Sequence, residues 1–172
     1  NDAVRFCEKV SQIASASVRL PTEAQWEYVC RAGSRRRISF GDSDDSLYKY
    51  CNYDDIQNDA IDLVIVRVKK QDDGFEHTAP VGSYRPNAYG LYDMEGNVSE
   101  WSADWWSDSY DDITIQDPVG PKSGDKRVVR GGSFASSPST CRCACRFGWV
   151  PSNEWPAIPT AFIGFRVSVQ LK

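Results

Sequence analysis

Apolar residues recur at helical spacing at the start of the chain. Ala3, Phe6, Cys7, Val10 and Ile13 form one stripe behind Asn1 or Asp2 as a cap, so the spacing predicts a first helix. Val18-Arg19-Leu20 reads as a short strand. Pro21-Thr22-Glu23-Ala24-Gln25 then carries the marks of a helix start. Thr22 is the N-cap, Gln25 its capping-box partner, and Glu23 faces the positive end of the dipole. Trp26, Val29 and Cys30 form the expected buried face, and Gly33 is a suitable residue just past the end. Residues 34–60 are polar and irregular. Leu63 to Val68 reads as a strand, Lys69 to Gly74 as a charged turn, and Arg127 to Arg130 as a strand ending at Gly131-Gly132. At the far end Phe165, Val167, Val169 and Leu171 alternate with Arg166, Ser168 and Gln170, the period of a half-buried strand with its apolar side inward. The pattern is α+β, with two early helices, short strands and much irregular loop.

The stretch 135–162 fits none of these templates. Only Arg142, Arg146 and Glu154 are charged, and Pro138, Pro151, Pro156 and Pro159 forbid a long helix. Long irregular segments in compact domains are usually functional or disordered, and Phe147, Trp149, Trp155 and Phe162 argue against disorder. Two readings stand: a coil packed inward on its aromatics, or a shaped contact surface that uses them as anchors.

Composition narrows the function classes. The 172 residues are 41% hydrophobic and 26% charged, as in ordinary globular chains. A formal net charge of −4 argues against a nucleic-acid partner, which requires a basic face. No apolar run is long enough to span a membrane, and the first residues show no signal-peptide pattern. The cysteines are Cys7, Cys30, Cys51, Cys141, Cys143 and Cys145. Six allow ~15 pairings that sequence cannot choose between. One histidine, His77, leaves little for a histidine-based metal site, and a zinc site built from Cys141, Cys143 and Cys145 lacks a fourth ligand.

Five segments, in order, carry a family likeness. They are Asn1 to Cys7, Arg19 to Tyr28, Gly90 to Trp101, Arg130-Gly131-Gly132-Ser133-Phe134, and Gly164-Phe165-Arg166-Val167. Together they resemble the formylglycine-generating enzymes, whose fold is a variant of the C-type lectin fold. The resemblance implies one domain over 1–172 without the family's N-terminal part. Family enzymes use two cysteines after the Gly-Gly-Ser motif to bind copper(I) and activate oxygen, turning a substrate cysteine into formylglycine. The second position matches Cys141, while the first falls on Ser136, whose hydroxyl cannot replace a thiolate at copper(I). The expectation is therefore a non-catalytic chain. The likeness also implies a Cys30–Cys143 disulfide, whereas the family partner of Cys7 falls on Val167.

The same fold is used by variable proteins of diversity-generating retroelements, which mutagenise the stretch between the Arg-Gly-Gly-Ser motif and the closing Gly-Phe-Arg-Val strand. Here that stretch is 135–162. The resemblance implies a binding face for a protein or other surface ligand made by Ala135, Ser136, Ser137, Ser139, Thr140, Cys143, Cys145, Phe147, Gly148, Trp149, Val150, Ser152, Asn153, Thr160 and Phe162. Cys141, Arg142, Ala144, Arg146 and Ile163 would be fixed. A cell-surface or virion address follows from the same likeness. No cofactor is required on this reading. Calcium is an optional ligand, at Asp93, Gly96, Val98 and Glu100, with a second family site falling on Asn52, Tyr53, Asp73 and Phe75. The competing expectations are a copper-dependent oxidase of the formylglycine-generating type and a catalytically dead paralogue with a fixed partner.

Overall fold

The structure is a computed structural model that describes residues 2–54, 56–61, 64–69, 72–110, 116–151 and 160–170. It divides into two compact units. One comprises Asn1–Tyr28, Ser99–Arg130 and Arg146–Lys172; the other comprises Val29–Val98 and Gly131–Cys145.

In the first unit, helix α1 (Asp2–Ala14) leads to β1 (Ser17–Arg19) and then α2 (Glu23–Arg31). The predicted capping box forms: the Thr22 amide donates to Gln25 Oε1 at 3.0 Å and the Gln25 amide to Thr22 Oγ1 at 3.2 Å. Past the end of α2, Gly33 adopts φ +84°, the left-handed geometry expected there. β4 (Ser99–Trp105), β5 (Arg127–Arg130), β6 (Arg146–Trp149) and β7 (Ile163–Gly164) make a four-stranded sheet in the order β6-β5-β4-β7. β5 pairs antiparallel with β6, and β4 runs parallel to β7. β8 (Ser168–Gln170) pairs antiparallel with β1, Val18 opposite Val169. The apolar core gathers Cys7, Val18 and Leu20 with Ala3, Val10, Ala16, Trp101 and Ala103.

Two expected faces turn out differently. On α1, Ile13 lies 84% exposed and Phe6 about half exposed, so the inward stripe narrows to Ala3, Cys7 and Val10. The closing segment keeps its period of two but reverses its faces. Phe165, Val167 and Val169 are exposed, while Arg166 is half-buried against Glu100. An ion pair, not an apolar side, sets which way that segment turns. Leu171 lies outside the described residues.

The second unit contains a 3-10 helix (Asp44–Lys49) and the hairpin β2 (Ile56–Ile61) and β3 (Val64–Lys69), inside and beside a region that patterning leaves irregular. Ser43 caps the 3-10 helix through its side chain, which accepts from the Asp45 amide. Ile38, Leu47, Cys51, Tyr53 and Cys141 form its buried core, flanked by Phe40 and Tyr48.

Candidate functional site

The segment after β5 begins in the second unit. Gly131 and Gly132 both take positive φ, and a Cβ on Gly132 would sit 2.8 Å from Cys141 Sγ. Glycine there lets the loop close over the thiol. Ser133 is buried, and its amide donates to Ser136 Oγ at 3.0 Å. Ser136 O accepts from the Asp54 amide at 2.9 Å. Thr140 donates to Ser137 O through both its amide and its hydroxyl. Main-chain and local hydroxyl bonds thus set the loop's shape. Ala135, Ser137, Ser139 and Ala144 point outward, Ser136, Thr140 and Cys145 are half-buried, and Cys141 and Cys143 are wholly buried. Cys143, expected on the contact face, instead donates from its thiol to Glu95 Oε1 at 3.1 Å and cannot meet a surface ligand. Ala144, expected as fixed, is exposed.

The segment continues in the first unit as β6, a strand where coil is expected. Arg146 opens it. Its guanidinium binds both oxygens of Glu23 at 2.7 Å and the Ser107 carbonyl at 3.0 Å, and lies 4.5 Å from the Trp106 ring and 4.3 Å from the Tyr110 ring. Glu23 also binds the fully buried Arg130 at 3.1 Å, and Arg130 reaches Glu27. Burial and the neighbouring Glu23 charge push the Tyr110 phenol above its ordinary range. Beyond this anchor Phe147 and Val150 are each 40% exposed, and Trp149 packs edge-on to Phe162 at 5.8 Å. Gly148, expected to vary, has no room to do so: a Cβ there would lie 2.6 Å from Trp106 Cγ. Ser152 and Asn153 lie outside the described residues, as does the side chain of Thr160.

The thiols are arranged as hydrophobic patterning could not show. Cys30 and Cys143 are thiols in the structure, and their sulfurs lie within 4.8 Å of each other and of a Glu95 oxygen. The implied Cys30–Cys143 bond is therefore not formed, although the two positions are neighbours. At Cys141 a second thiol is present that spacing does not reveal. Cys51, ninety residues earlier, shares its apolar cluster and a thiol hydrogen bond. Burial and that bond push Cys51 well above the ordinary thiol range. Ser136, at the other position implied for copper, spends its hydroxyl on Ser133. Ser136 and Cys141 together do not make a copper(I) site.

The two calcium expectations separate. Glu100, expected on the first ion, gives one carboxylate oxygen to the Trp26 indole at 2.7 Å and the other to Arg166 at 2.7 Å. A cation there would have to displace an arginine, so Glu100 is corrected to an ion-pair residue. Asp93, Gly96 and Val98 lie in the other unit, where Asp93 Oδ2 accepts from the Gly82 amide. The second set fits better. Asp73 is buried, and its two oxygens accept from the Tyr53 and Phe75 amides at 2.9 and 3.0 Å, which draws these three residues together. Beside them Asn52 is fully buried and donates to His77 O, while its Oδ1 has no hydrogen-bond partner. A hard cation held by Asn52 and Asp73 side chains with Tyr53 and Phe75 carbonyls would satisfy that oxygen.

Residues 1–171 match the sulfatase-modifying factor enzyme 1-like domain. The formylglycine-generating enzyme of Mus musculus is 38% identical over 96% of this chain and 41% of its own length. The structure of PvdO from Pseudomonas aeruginosa superposes with a TM-score of 0.78 at 30% identity, over 99% of this chain and 59% of that one. Treponema denticola variable protein 1 superposes with a TM-score of 0.68 at 32% identity, over 88% of this chain and 47% of that one. The chain thus spans less than half the length of the mouse enzyme and of the variable protein. With the family's domain matched over nearly the whole chain and an α+β fold similar to theirs, the chain belongs to the sulfatase-modifying factor enzyme 1-like family.

Proposed function

We propose that this chain is a non-catalytic ligand-binding protein of the retroelement-diversified kind, with a lectin-like scaffold that displays the 135–162 segment to a protein or surface ligand. The observation that carries this reading is the division of labour inside the segment. Cys141, Cys143, Arg146 and Gly148 are tied to buried partners or leave no space, whereas Ala135, Ser137, Ser139, Phe147 and Val150 face outward with the backbone fixed independently of them. Such a segment tolerates substitution at the second group without loss of fold, which display requires. The loss of one copper-binding thiol at Ser136 supports the non-catalytic side, and the similarity to a variable protein supports the diversified side. Calcium at Asn52, Tyr53, Asp73 and Phe75 would brace the scaffold, not contact the ligand. The contact set leaves out Cys143 and Gly148. A cell-surface or virion address goes with display.

The test is a combinatorial library at Ala135, Ser137, Ser139, Phe147 and Val150. Most members should keep the parent's thermal midpoint, and selected members should bind different protein baits. Loss of folding across most of the library would end the reading. A near-copy of the coding segment beside a reverse transcriptase gene is the genomic counterpart, and its absence would defeat the diversification claim.

One observation favours a copper-dependent oxidase as the second reading: the Cys51 thiol beside Cys141 offers two sulfurs where copper(I) would need them. Stoichiometric copper(I) binding that is lost in Cys51→Ser, with turnover of a cysteine peptide to formylglycine, would establish it over the first.

A further inference from the structure

Cys30, Glu95 and Cys143 come from three separate stretches of one unit: the end of α2, the loop before β4 and the segment after Gly132. No sequence spacing links them. Their ligand atoms all lie within 4.8 Å of one another, and the residues are 0%, 4% and 0% exposed. Glu95 is fixed in place: Oε1 accepts from the Ser39 amide at 2.7 Å and from the Cys143 thiol at 3.1 Å, and Oε2 accepts from the Ser39 hydroxyl at 2.7 Å. The surrounding backbone is pinned as well. Asn87 Nδ2 donates to the Val29 and Cys30 carbonyls, and the Gly96 amide donates to Gly131 O.

The puzzle is the carboxyl group. Glu95 is 4% exposed, and the hydrogen bonds it accepts come from the neutral Ser39 and Cys143. Charge on a buried acid is costly where its donors are neutral. A divalent cation would supply the missing charge.

We propose that Cys30, Glu95 and Cys143 bind one thiophilic divalent cation of the zinc class. Two sulfurs and one carboxylate oxygen are a donor set for a borderline-soft ion, not for calcium or magnesium. The Met94 carbonyl, 3.9 Å from the Cys30 sulfur, provides a fourth donor. Binding replaces two S–H bonds with two metal–sulfur bonds and releases both protons to solvent, together with any proton on Glu95. No electron is transferred. Two thiolates and a carboxylate carry −3 against +2 from the ion. Ser39 acts as a positioning residue that presents Glu95. With every ligand buried, the ion has no position open to substrate, so its role is structural: it clamps the end of α2 to the base of the 131–145 segment. This site does not depend on the proposed ligand-binding role and stands or falls separately from it.

The test uses the whole chain, reduced and freed of metal, titrated with cadmium(II) and then competed with zinc(II). One equivalent should bind, with a sulfur-to-metal charge-transfer band, two thiols shielded from a thiol reagent, and a raised thermal midpoint. Cys143→Ser and Glu95→Gln should each weaken binding by at least about tenfold, and Ser39→Ala by less. Cys51→Ser should leave binding intact, which separates this site from the Cys51–Cys141 pair. If Cys143→Ser does not fold, X-ray absorption of the zinc-loaded parent decides: two sulfur and two lighter neighbours are expected. Absence of the band, binding that needs Cys51 and not Cys30, or a Cys30–Cys143 cross-linked peptide from the protein as isolated would each overturn the proposal.

Discussion

The two ends of the 135–150 stretch are fastened by different chemistry. In the first unit Arg146 joins a buried charge network with Glu23, Arg130 and Glu27, roofed by Trp106 and Tyr110. In the second unit residues 133–145 are held by backbone hydrogen bonds and buried sulfur, with Cys141 in an apolar cluster and Cys143 against Glu95. The charged anchor is specific and brittle, because removing one member strands the others without solvent. The loop rests on main-chain bonds, the Ser136 and Thr140 hydroxyls and two buried thiols, so its outward side chains carry little of it. The display role proposed above requires both: a few positions that cannot change and a backbone that does not register the outward ones.

The sharpest way to break this contrast is Glu23→Ala, which removes the carboxylate that the fully buried Arg130 shares with Arg146. A loss of about 3–5 kcal/mol is expected, measured by urea unfolding. Next comes Gly148→Ala, whose methyl group would press on Trp106; about 1–3 kcal/mol should be lost. Asp104→Asn should act as a change of slope with pH. Burial, above all, raises the Asp104 carboxyl above its ordinary value of 3.8. A raised folded-state value gives stability that is full below the unfolded value and is lost as pH rises through the folded one. Thermal midpoints of the asparagine variant should therefore fall less than those of the parent across mildly acidic pH. Ser139→Asp in the outward loop should be the smallest effect, within about 0.5 kcal/mol in the same urea assay. If it matched Glu23→Ala, the contrast between the two fastenings would be lost.

Local chemistry was legible in the chain; the polar interior was not. The Thr22–Gln25 box and the strand Arg127–Arg130 follow directly from residue type, because each depends on neighbours. β4 escapes hydrophobic patterning for a physical reason. Its buried positions are Ser99, Glu100, Ser102 and Asp104, while Trp101 and Trp105 are half-buried. The strand inverts the usual code because its inward charges meet partners distant in sequence: Glu100 meets Trp26 and Arg166, and Asp104 meets the Glu23 amide. The closing segment reads backwards for the same reason. Of the candidate site, the location of the segment was legible, but its fixed points were not. Gly148 looks like any glycine until Trp106 stands over it, and nothing about Cys143 announces Glu95 as its neighbour.

β6 lies against β5 with Phe147 opposite Val129 and Trp149 opposite Arg127. That ladder is made of amides and carbonyls, which are the same whatever letter the codon spells. Proline is the exception, since it brings no amide hydrogen. A repertoire generated along this strand would thus be edited by a single rule: proline filtered out where β5 requires a donor, and nearly every other change at its outward positions passed over in silence.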